Sequence, residues 1–509
     1  MTRNKSIIKT LLALGVLCVA ACTANYEEIN TDPNDATKDQ MGADAYIVSA
    51  ALTGMQGWVI PLEEHQYQFI ENLMGCPFGG YMADSGSWDT RTTLYNPTDD
   101  WTRPAFKVVL PEIYKNYVKL QANTDDPVIL AVAEVIRAAA IHRVTDIYGP
   151  IPYSQVGRDG SLTAPYDSQE KVYDTLFEQL DKAIAVLMAH RTGSFNSKAD
   201  KVYGGNISKW IRFANSLKLR MALRLSYADE KKAREMAEAA APNTMVDNAD
   251  NALMPVTKNP NTLTVTSWRD SRISADLTSY MNGYADPRRE SYFTKAGTAN
   301  GGYNGLRSGV RYDDRNRSDY SGMVVENATP ILWMNAAEVA FLKAEAALRG
   351  WEVGGEAEDF YKQGIELSFR QYGLAGADVY AGNAVAIPAA YDDPTGRYSA
   401  PRQSSITVAW DPAADDEENL ERIITQKWIA CFPLGNEAWA EYRRTGYPRL
   451  LPSPDASGMG IEQGGMPGRV PYPQNEFTDN AVNYAEALKL LGGPDNMATR
   501  LWWDCKPNK

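Results

Sequence analysis

Apolar side chains recur at three- and four-residue steps through long parts of this chain, and several such stretches have a helix start at their head. Asp126-Pro127 offers an N-cap followed by proline at the first helical position. Behind it Ile129, Val132, Ile136, Ala140 and Val144 fall on one face. Asp167 with Glu170 reads as a capping box for a second stripe, Val172, Leu176, Leu180, Ala183 and Leu187. Trp210, Phe213, Ala214, Leu217, Met221 and Leu225 make a third, with basic residues on the opposite face. Asn335 and Glu338 cap a fourth helix that stops at Gly350, and a turn at Gly354-Gly355 leads into a fifth, about Ala357 to Phe369. Small residues around Ala344 and Ala347 would let that pair pack closely. Such hairpins suggest tetratricopeptide-like helix pairs, although no clean 34-residue period is present. A mainly α scaffold is predicted.

Four stretches break the helical period: 75–104, 243–325, 375–415 and 451–480, rich in Gly, Pro, Asn, Asp, Tyr and Trp. They are too long for connectors and too aromatic for disordered linkers, and ordered loops on a helical body are where function usually sits. The expected architecture is a helical frame carrying a loop-rich lobe.

The N-terminus has a different pattern. Arg3, Lys5 and Lys9 precede an apolar run from Ile7 to Ala21, then Cys22 and a polar segment beginning Thr23-Ala24-Asn25. This is the anatomy of a secretory signal, and the run is shorter than the roughly 20 apolar residues of a membrane span. Val19-Ala20-Ala21-Cys22 matches the bacterial lipobox, which makes Cys22 the lipidated N-terminus of the mature chain. Residues 1–21 are therefore read as signal peptide, 22–40 as a flexible lipid-anchored tether and 41–509 as the body. Several acyl chains on one cysteine hold a protein to a bilayer far better than a single chain does.

Composition narrows the function. Aromatics at 10% and apolar residues at 44% of the chain exclude a disordered protein. The leader holds three of the 51 basic residues and none of the 64 acidic ones, which leaves 48 against 64, a net −16. That balance argues against nucleic acid and anionic lipid as partners. Beyond Cys18 and Cys22 only Cys76, Cys431 and Cys505 remain; an odd set with no close pair is neither a disulfide framework nor a CxxC site, and they read as buried small hydrophobes.

Several strings, in order from lipobox to C-terminus, resemble the SusD/RagB family of nutrient-binding outer-membrane lipoproteins. They are Arg143-Val-Thr-Asp146-Ile-Tyr148-Gly149-Pro150-Ile-Pro152-Tyr153, Tyr166-Asp167-Ser168-Gln169-Glu170 and Trp210-Ile-Arg212-Phe213-Ala214-Asn215-Ser216-Leu217. Glu338-Val-Ala-Phe341, Ile424-Thr425-Gln426-Lys427-Trp428, Glu437 through Pro448, Arg469 through Pro473 and Leu501-Trp502-Trp503-Asp504 follow. The resemblance implies a SusD-like fold with four tetratricopeptide-like hairpins and an irregular lobe. It also implies a place on a Bacteroidetes-type cell surface as the lid of a SusC-like TonB-dependent barrel, capturing a glycan or another oligomer. Glu27 and Glu28 are similar to the family's acidic export signal, without the usual lysine or glutamine before the pair.

Sugar recognition needs flat aromatic faces and side-chain hydrogen-bonding groups. The loops supply both at Tyr81, Trp88, Tyr95 and Trp101, at Trp268-Arg269-Asp270, and from Tyr303 and Arg307 to Tyr320. Trp88, Tyr81, Tyr95, Trp101, Trp268, Tyr303, Arg307 and Tyr320 are the candidate ligand contacts, with Trp88 foremost. The strongest family strings read instead as scaffold: Tyr148 to Pro152 as a rigid turn, Arg443 and Arg444 as helix-spaced partners of Glu437 and Glu441, Trp502 and Trp503 as packing anchors. Asp415 to Glu418 is a solvated helix start, and Asp314 to Ser318 a polar loop that lacks the glycine and glutamate of a calcium loop.

His65, His142 and His190 are scattered, and neither HExxH nor GxSxG occurs. A binder without enzymatic activity, cofactor or metal is the expectation. The alternatives are a surface-anchored glycan hydrolase or esterase, which needs only two close carboxylates, and a binder of peptides or other oligomers.

Overall fold

The computed structural model describes residues 46–157, 163–298, 301–311 and 317–507. The signal segment, Cys22, the tether, Glu27 and Glu28, and most of the calcium-loop-like stretch lie outside the described residues. By its contacts the chain divides into Met1–Val48, of which only Tyr46 to Val48 are described, and a body spanning Ser49–Lys509.

Twelve longer helices carry the frame among the described residues. They are α1 (Tyr46–Val59), α2 (Leu110–Gln121), α3 (Pro127–Tyr148), α4 (Gln169–Ala189), α5 (Ile207–Arg224), α6 (Glu230–Ala240) and α7 (Ala275–Gly283). The second half adds α8 (Ala336–Leu348), α9 (Ala357–Gln371), α10 (Asp416–Ala430), α11 (Gly435–Thr445) and α12 (Ala481–Leu491). None is long and apolar enough to cross a membrane. Strands are few and short: β1 (Met82–Asp84), β2 (Ile151–Pro152), β3 (Tyr166–Asp167), β4 (Ala252–Met254), β5 (Ser271–Ile273) and β6 (Ile331–Met334). They pair antiparallel as β1–β5, β2–β3 and β4–β6.

The starts of the helices follow the sequence closely. The Asp126 side chain accepts from the Val128 and Ile129 amides at 2.8 and 3.3 Å, which satisfies two donors that the first turn leaves open. Ser168, one residue beyond the expected cap, accepts from Lys171 N and starts α4. Asp167 is drawn into β3 and binds Ser154 N and Oγ at 2.6 and 2.8 Å. Asn335 caps α8 as expected, accepting from Glu338 N at 2.8 Å. Asp415 caps α10 the same way.

Helices pack in sequential antiparallel hairpins, α3 on α4, α5 on α6 and α8 on α9, with α10 lying across the last pair. In α8–α9 the close approach occurs at Gly364, where a Cβ would sit 2.7 Å from the Phe341 ring. That glycine, rather than the alanines, sets the distance.

A spine of buried charge joins the hairpins. Arg220 of α5 clasps Glu338 of α8 through Nε and Nη2, both at 2.7 Å. Arg224 of α5 binds Glu437 of α11 at 2.6 Å and also Glu441. Lys427 of α10 reaches Glu437 and Glu441 at 3.2 and 3.0 Å. Arg444 of α11 holds Glu345 of α8 at 2.6 Å and Glu441 at 2.8 Å. Four cations thus meet four carboxylates from four helices, and all eight residues are buried. Charges this deep are tolerable only when each is matched, and the matching fixes which helix faces which.

Arg443 does not join the helix pairing expected of it. Its guanidinium lies 3.7 Å from the Trp439 ring and donates to the Asp146 and Gly468 carbonyls. The turn after α3 is scaffold, as the sequence indicates: Arg469 donates to Tyr148 O and Tyr472 to Pro150 O. Trp503 is fully buried against Asp146, whereas Trp502 is only half-buried. Cys76 and Cys431 are buried, but Cys505 is exposed near the C-terminus, contrary to expectation.

Candidate functional site

Three distant loop segments converge beside the helical frame. β1 pairs with β5 in the register Met82–Ile273, Ala83–Arg272 and Asp84–Ser271. Ser85 N extends the pairing to Asp270 O at 2.7 Å. Leu306 and Ser321 join on the other side, Leu306 N donating to Ile273 O and Ile273 N to Ser321 O. Backbone hydrogen bonds together with a buried cluster of Ala83, Leu306, Val310, Tyr320 and Tyr398 tie these loops together, which makes them a firm base for whatever they display.

Four of the predicted contact residues prove to be part of that base. Tyr81 is fully buried, stacked on Trp428 at 5.5 Å, with its hydroxyl donating to Trp428 O. Tyr95 is buried at the end of a 3₁₀ turn (φ 59°) and donates to Gly465 O at 2.8 Å. Tyr320 is sealed against Asp393, and Arg307 spends its guanidinium on the Tyr398 and Pro452 carbonyls. None of the four offers a face to a ligand. Buried tyrosine hydroxyls and guanidinium groups need partners; Tyr81 finds the Trp428 carbonyl in α10, Tyr95 and Arg307 find loop carbonyls, and Tyr320 finds the Asp393 carboxylate.

The other four lie at the surface. Trp88 is half-buried and meets Trp101 edge-on, with ring centroids 5.2 Å apart at 80°. Trp101 in turn lies 5.5 Å from Phe69. A Cβ on Gly86 would come 2.1 Å from the Trp88 ring, so the pose of that indole depends on the glycine. Trp268 is 36% exposed and tilted against His65 at 5.4 Å. Tyr303 stands apart from these, half-buried against Phe293 with the Arg289 guanidinium 5.5 Å from its ring.

His65 and Phe69, which the sequence did not single out as contacts, connect the two tryptophan groups. They are four residues apart where the helical turn Glu64–Tyr67 runs into a π-helix, Gln68–Gly75, and such spacing places both on one side. The intervening Gln68 donates to Asp270 Oδ2 at 2.5 Å, which locks this helix to the Trp268 loop. The result is a row running Trp268, His65, Phe69, Trp101, Trp88. It forms an open ledge, bordered by the exposed polar residues Ser87, Asp89 and Thr90. Insertions of the π type are frequent at functional sites, but nothing in the periodicity of 64–75 marks one.

Electrostatics differ sharply between ledge and frame. Burial raises the Asp270 carboxyl, opposed by the Gln68 hydrogen bond and by Arg317 and Arg272. Burial, then Arg269 and Arg317, lower the Arg272 guanidinium to about 10. In the frame, Arg224, Lys427 and Arg220 overcome burial and hold Glu437 at about 2. The buried carboxylates of the spine are thus saturated with cations. Among the described residues no group of three or more His, Cys, Asp or Glu side chains is placed to hold a metal ion.

The family model for SusD-like proteins, described as SusD and RagB outer membrane lipoproteins, matches residues 28–504. The chain belongs to this family. Its fold agrees with a SusD homologue from Bacteroides thetaiotaomicron at 42% identity and TM-score 0.87, covering 91% of this chain and 99% of that one. A homologue from Bacteroides uniformis gives 44% identity and TM-score 0.87, with 91% and 100% covered. A chitin-binding SusD homologue from Flavobacterium johnsoniae gives 36% identity and TM-score 0.85, with 90% and 99% covered. No curated protein matches. The mainly helical SusD-like fold expected from the sequence is the one observed.

Proposed function

We propose that this SusD-like protein is a cell-surface lipoprotein, acylated at Cys22, that binds an oligomeric nutrient, in first place a glycan. In this reading it captures the oligomer without turning it over and serves as the lid of a SusC-like TonB-dependent barrel. The observation that carries the binding role is the row from Trp268 to Trp88, whose rings lie at the surface on loops held by backbone pairing. Aromatic faces of this kind stack on the C–H surface of sugar rings, and an open row suits an extended chain better than a single small molecule. The chitin-binding activity of a relative supports a glycan. Family membership supports the barrel as partner. A hydrolase would need a reactive pair of carboxylates, and the buried acids of the spine are already committed to arginine and lysine.

The test has two parts. The full protein is screened on a glycan array, and hits are repeated by calorimetry with Trp88→Ala and Trp268→Ala. Weaker binding at unchanged melting temperature is expected, and unchanged binding by both variants would overturn the ledge. Pull-down from native outer membrane is expected to recover a near-stoichiometric barrel; recovery of the protein alone would overturn the lid.

A further inference from the structure

The ledge carries a feature that stacking on a neutral sugar does not require. Trp268 and Arg269 stand side by side, both exposed, at the tip of the loop that enters β5. Arg269 holds φ at 59°, a left-handed conformation uncommon outside glycine. The loop enforces it: Trp268 N donates to Leu263 O at 2.7 Å, Asp270 N to Thr264 O at 2.9 Å, and the Ser85 hydroxyl to Arg269 O. A strained residue so firmly held points to presentation of its side chain.

Behind the tip, among the described residues, positive charge outnumbers negative. Arg272 is only 6% exposed, and its guanidinium donates to the carbonyls of Val265, Ser271 and Arg317 and to no carboxylate among the described residues. Its Nη2 makes no hydrogen bond among the described residues. Among the described residues the side chains of Arg269 and Arg317 form no ion pair either, and Asp270 is the carboxylate that acts on Arg272. Among the described residues, Arg269 and Arg317 thus crowd Arg272 beside a single acid, in a chain with 64 acidic residues against 51 basic ones. In the spine, by contrast, each buried cation faces a carboxylate.

We propose that the Trp268–Arg269 tip, backed by Arg272 and Arg317, binds an anionic group carried by the oligosaccharide whose ring stacks on Trp268. Carboxylate and sulfate ester both fit, because guanidinium presents paired N–H donors that match either oxyanion. The inference rests on the glycan-binding reading and specifies its ligand class as acidic sugars.

The experiment pairs each acidic probe with its charge-free counterpart. Calorimetry on the full protein uses hexagalacturonate against its methyl ester and a sulfated hexasaccharide against its desulfated form, at 50 and 500 mM NaCl. One acidic probe is expected to bind at least tenfold more tightly than its neutral partner, with the preference shrinking at high salt. Which probe does so separates uronate from sulfate. Arg269→Gln with Arg317→Gln, both at exposed or half-exposed sites, should abolish the preference while leaving neutral binding within about twofold and the melting temperature unchanged. Equal binding of charged and neutral partners, or a preference that survives the double substitution, overturns the anionic site and leaves the glycan reading standing. Absence of binding to all four probes, together with a blank glycan array, overturns both.

Discussion

The spine where α5, α8, α10 and α11 meet and the ledge at the Trp268–Arg269 tip both concentrate arginine, and they treat it in opposite ways. In the spine each guanidinium faces carboxylates on another helix, and the two signs balance. At the ledge, among the described residues, Arg272 and Arg317 act on the single carboxylate Asp270, and Arg272 is satisfied by carbonyls. Burial alone does not distinguish the two, since Arg272 and Arg220 are both nearly inaccessible. Matching does. Charge answered by carboxylates within the fold specifies helix pairing, whereas guanidinium groups answered by carbonyls are either sealed, as Arg307 and Arg443 are, or back an exposed arginine, as Arg272 backs Arg269.

The largest effect should come from unbalancing the spine. Arg444→Ala removes the bidentate partner of Glu345, leaving it Arg349, and leaves Glu441 with Lys427 and Arg224. Breaking a buried pair from one side costs about 3–5 kcal/mol. A fall of that order in chemical denaturation is expected, whereas Arg269→Gln at the ledge should leave the same curve in place. Equal losses for the two variants would erase the distinction between spine and ledge.

Acid should act on the spine next. Glu437 is held at about 2 in the folded protein, below its usual value of 4.5, by Arg224, Lys427 and Arg220 acting against burial. A depressed carboxyl contributes stability that is complete above the unfolded value and is lost as pH falls through the folded one. Stability measured by denaturant is therefore expected to hold steady from pH 7 to 5 and to fall between about 4.5 and 2. Glu437→Gln should be less stable at pH 7 and flatter across that window. A variant with an unchanged pH slope would show that Glu437 is not a source of acid sensitivity.

Much of the frame could be read from the sequence because helix caps and three- to four-residue apolar steps are local. Asp126, Asn335 and Asp415 all cap where their spacing places them. The ledge depends on non-local information. Trp88 and Trp101 reach the surface while Tyr81 and Tyr95 turn inward, although all four sit in one aromatic stretch. What separates them is the carbonyl that each tyrosine hydroxyl finds some 350 residues away, at Trp428 and Gly465. His65 and Phe69 were missed for a related reason. Their value lies in bridging residues 101 and 268, a relation fixed only when the loops close.

The aromatic half of the ledge gives a smaller effect than the spine, but one confined to binding. Trp88→Ala removes a ring that packs on Trp101 and faces solvent. An aromatic contact is worth about 0.5–1.5 kcal/mol beyond its buried area, so roughly tenfold weaker binding of the cognate oligomer is expected, with a melting temperature within a degree or two. A large stability loss with unchanged affinity would make Trp88 a core residue. Gly86→Ala should weaken binding in the same direction, because the new methyl group would displace the Trp88 ring.

Tyr81→Phe provides the smallest and most discriminating signal. If Tyr81 were a ligand contact, loss of its hydroxyl would cost affinity and leave stability alone. The structure assigns the reverse, since the hydroxyl donates to Trp428 O and the ring is fully buried between Trp428 and Phe432. Removing the hydroxyl leaves the Trp428 carbonyl without that donor in a sealed site, which costs about 1 kcal/mol. The expected outcome is a melting temperature lowered by a few degrees and an affinity within twofold of the parent. Unchanged melting with weakened binding would return Tyr81 to the ligand surface, and would mean that the β1–β5 loops open in solution far enough to expose it.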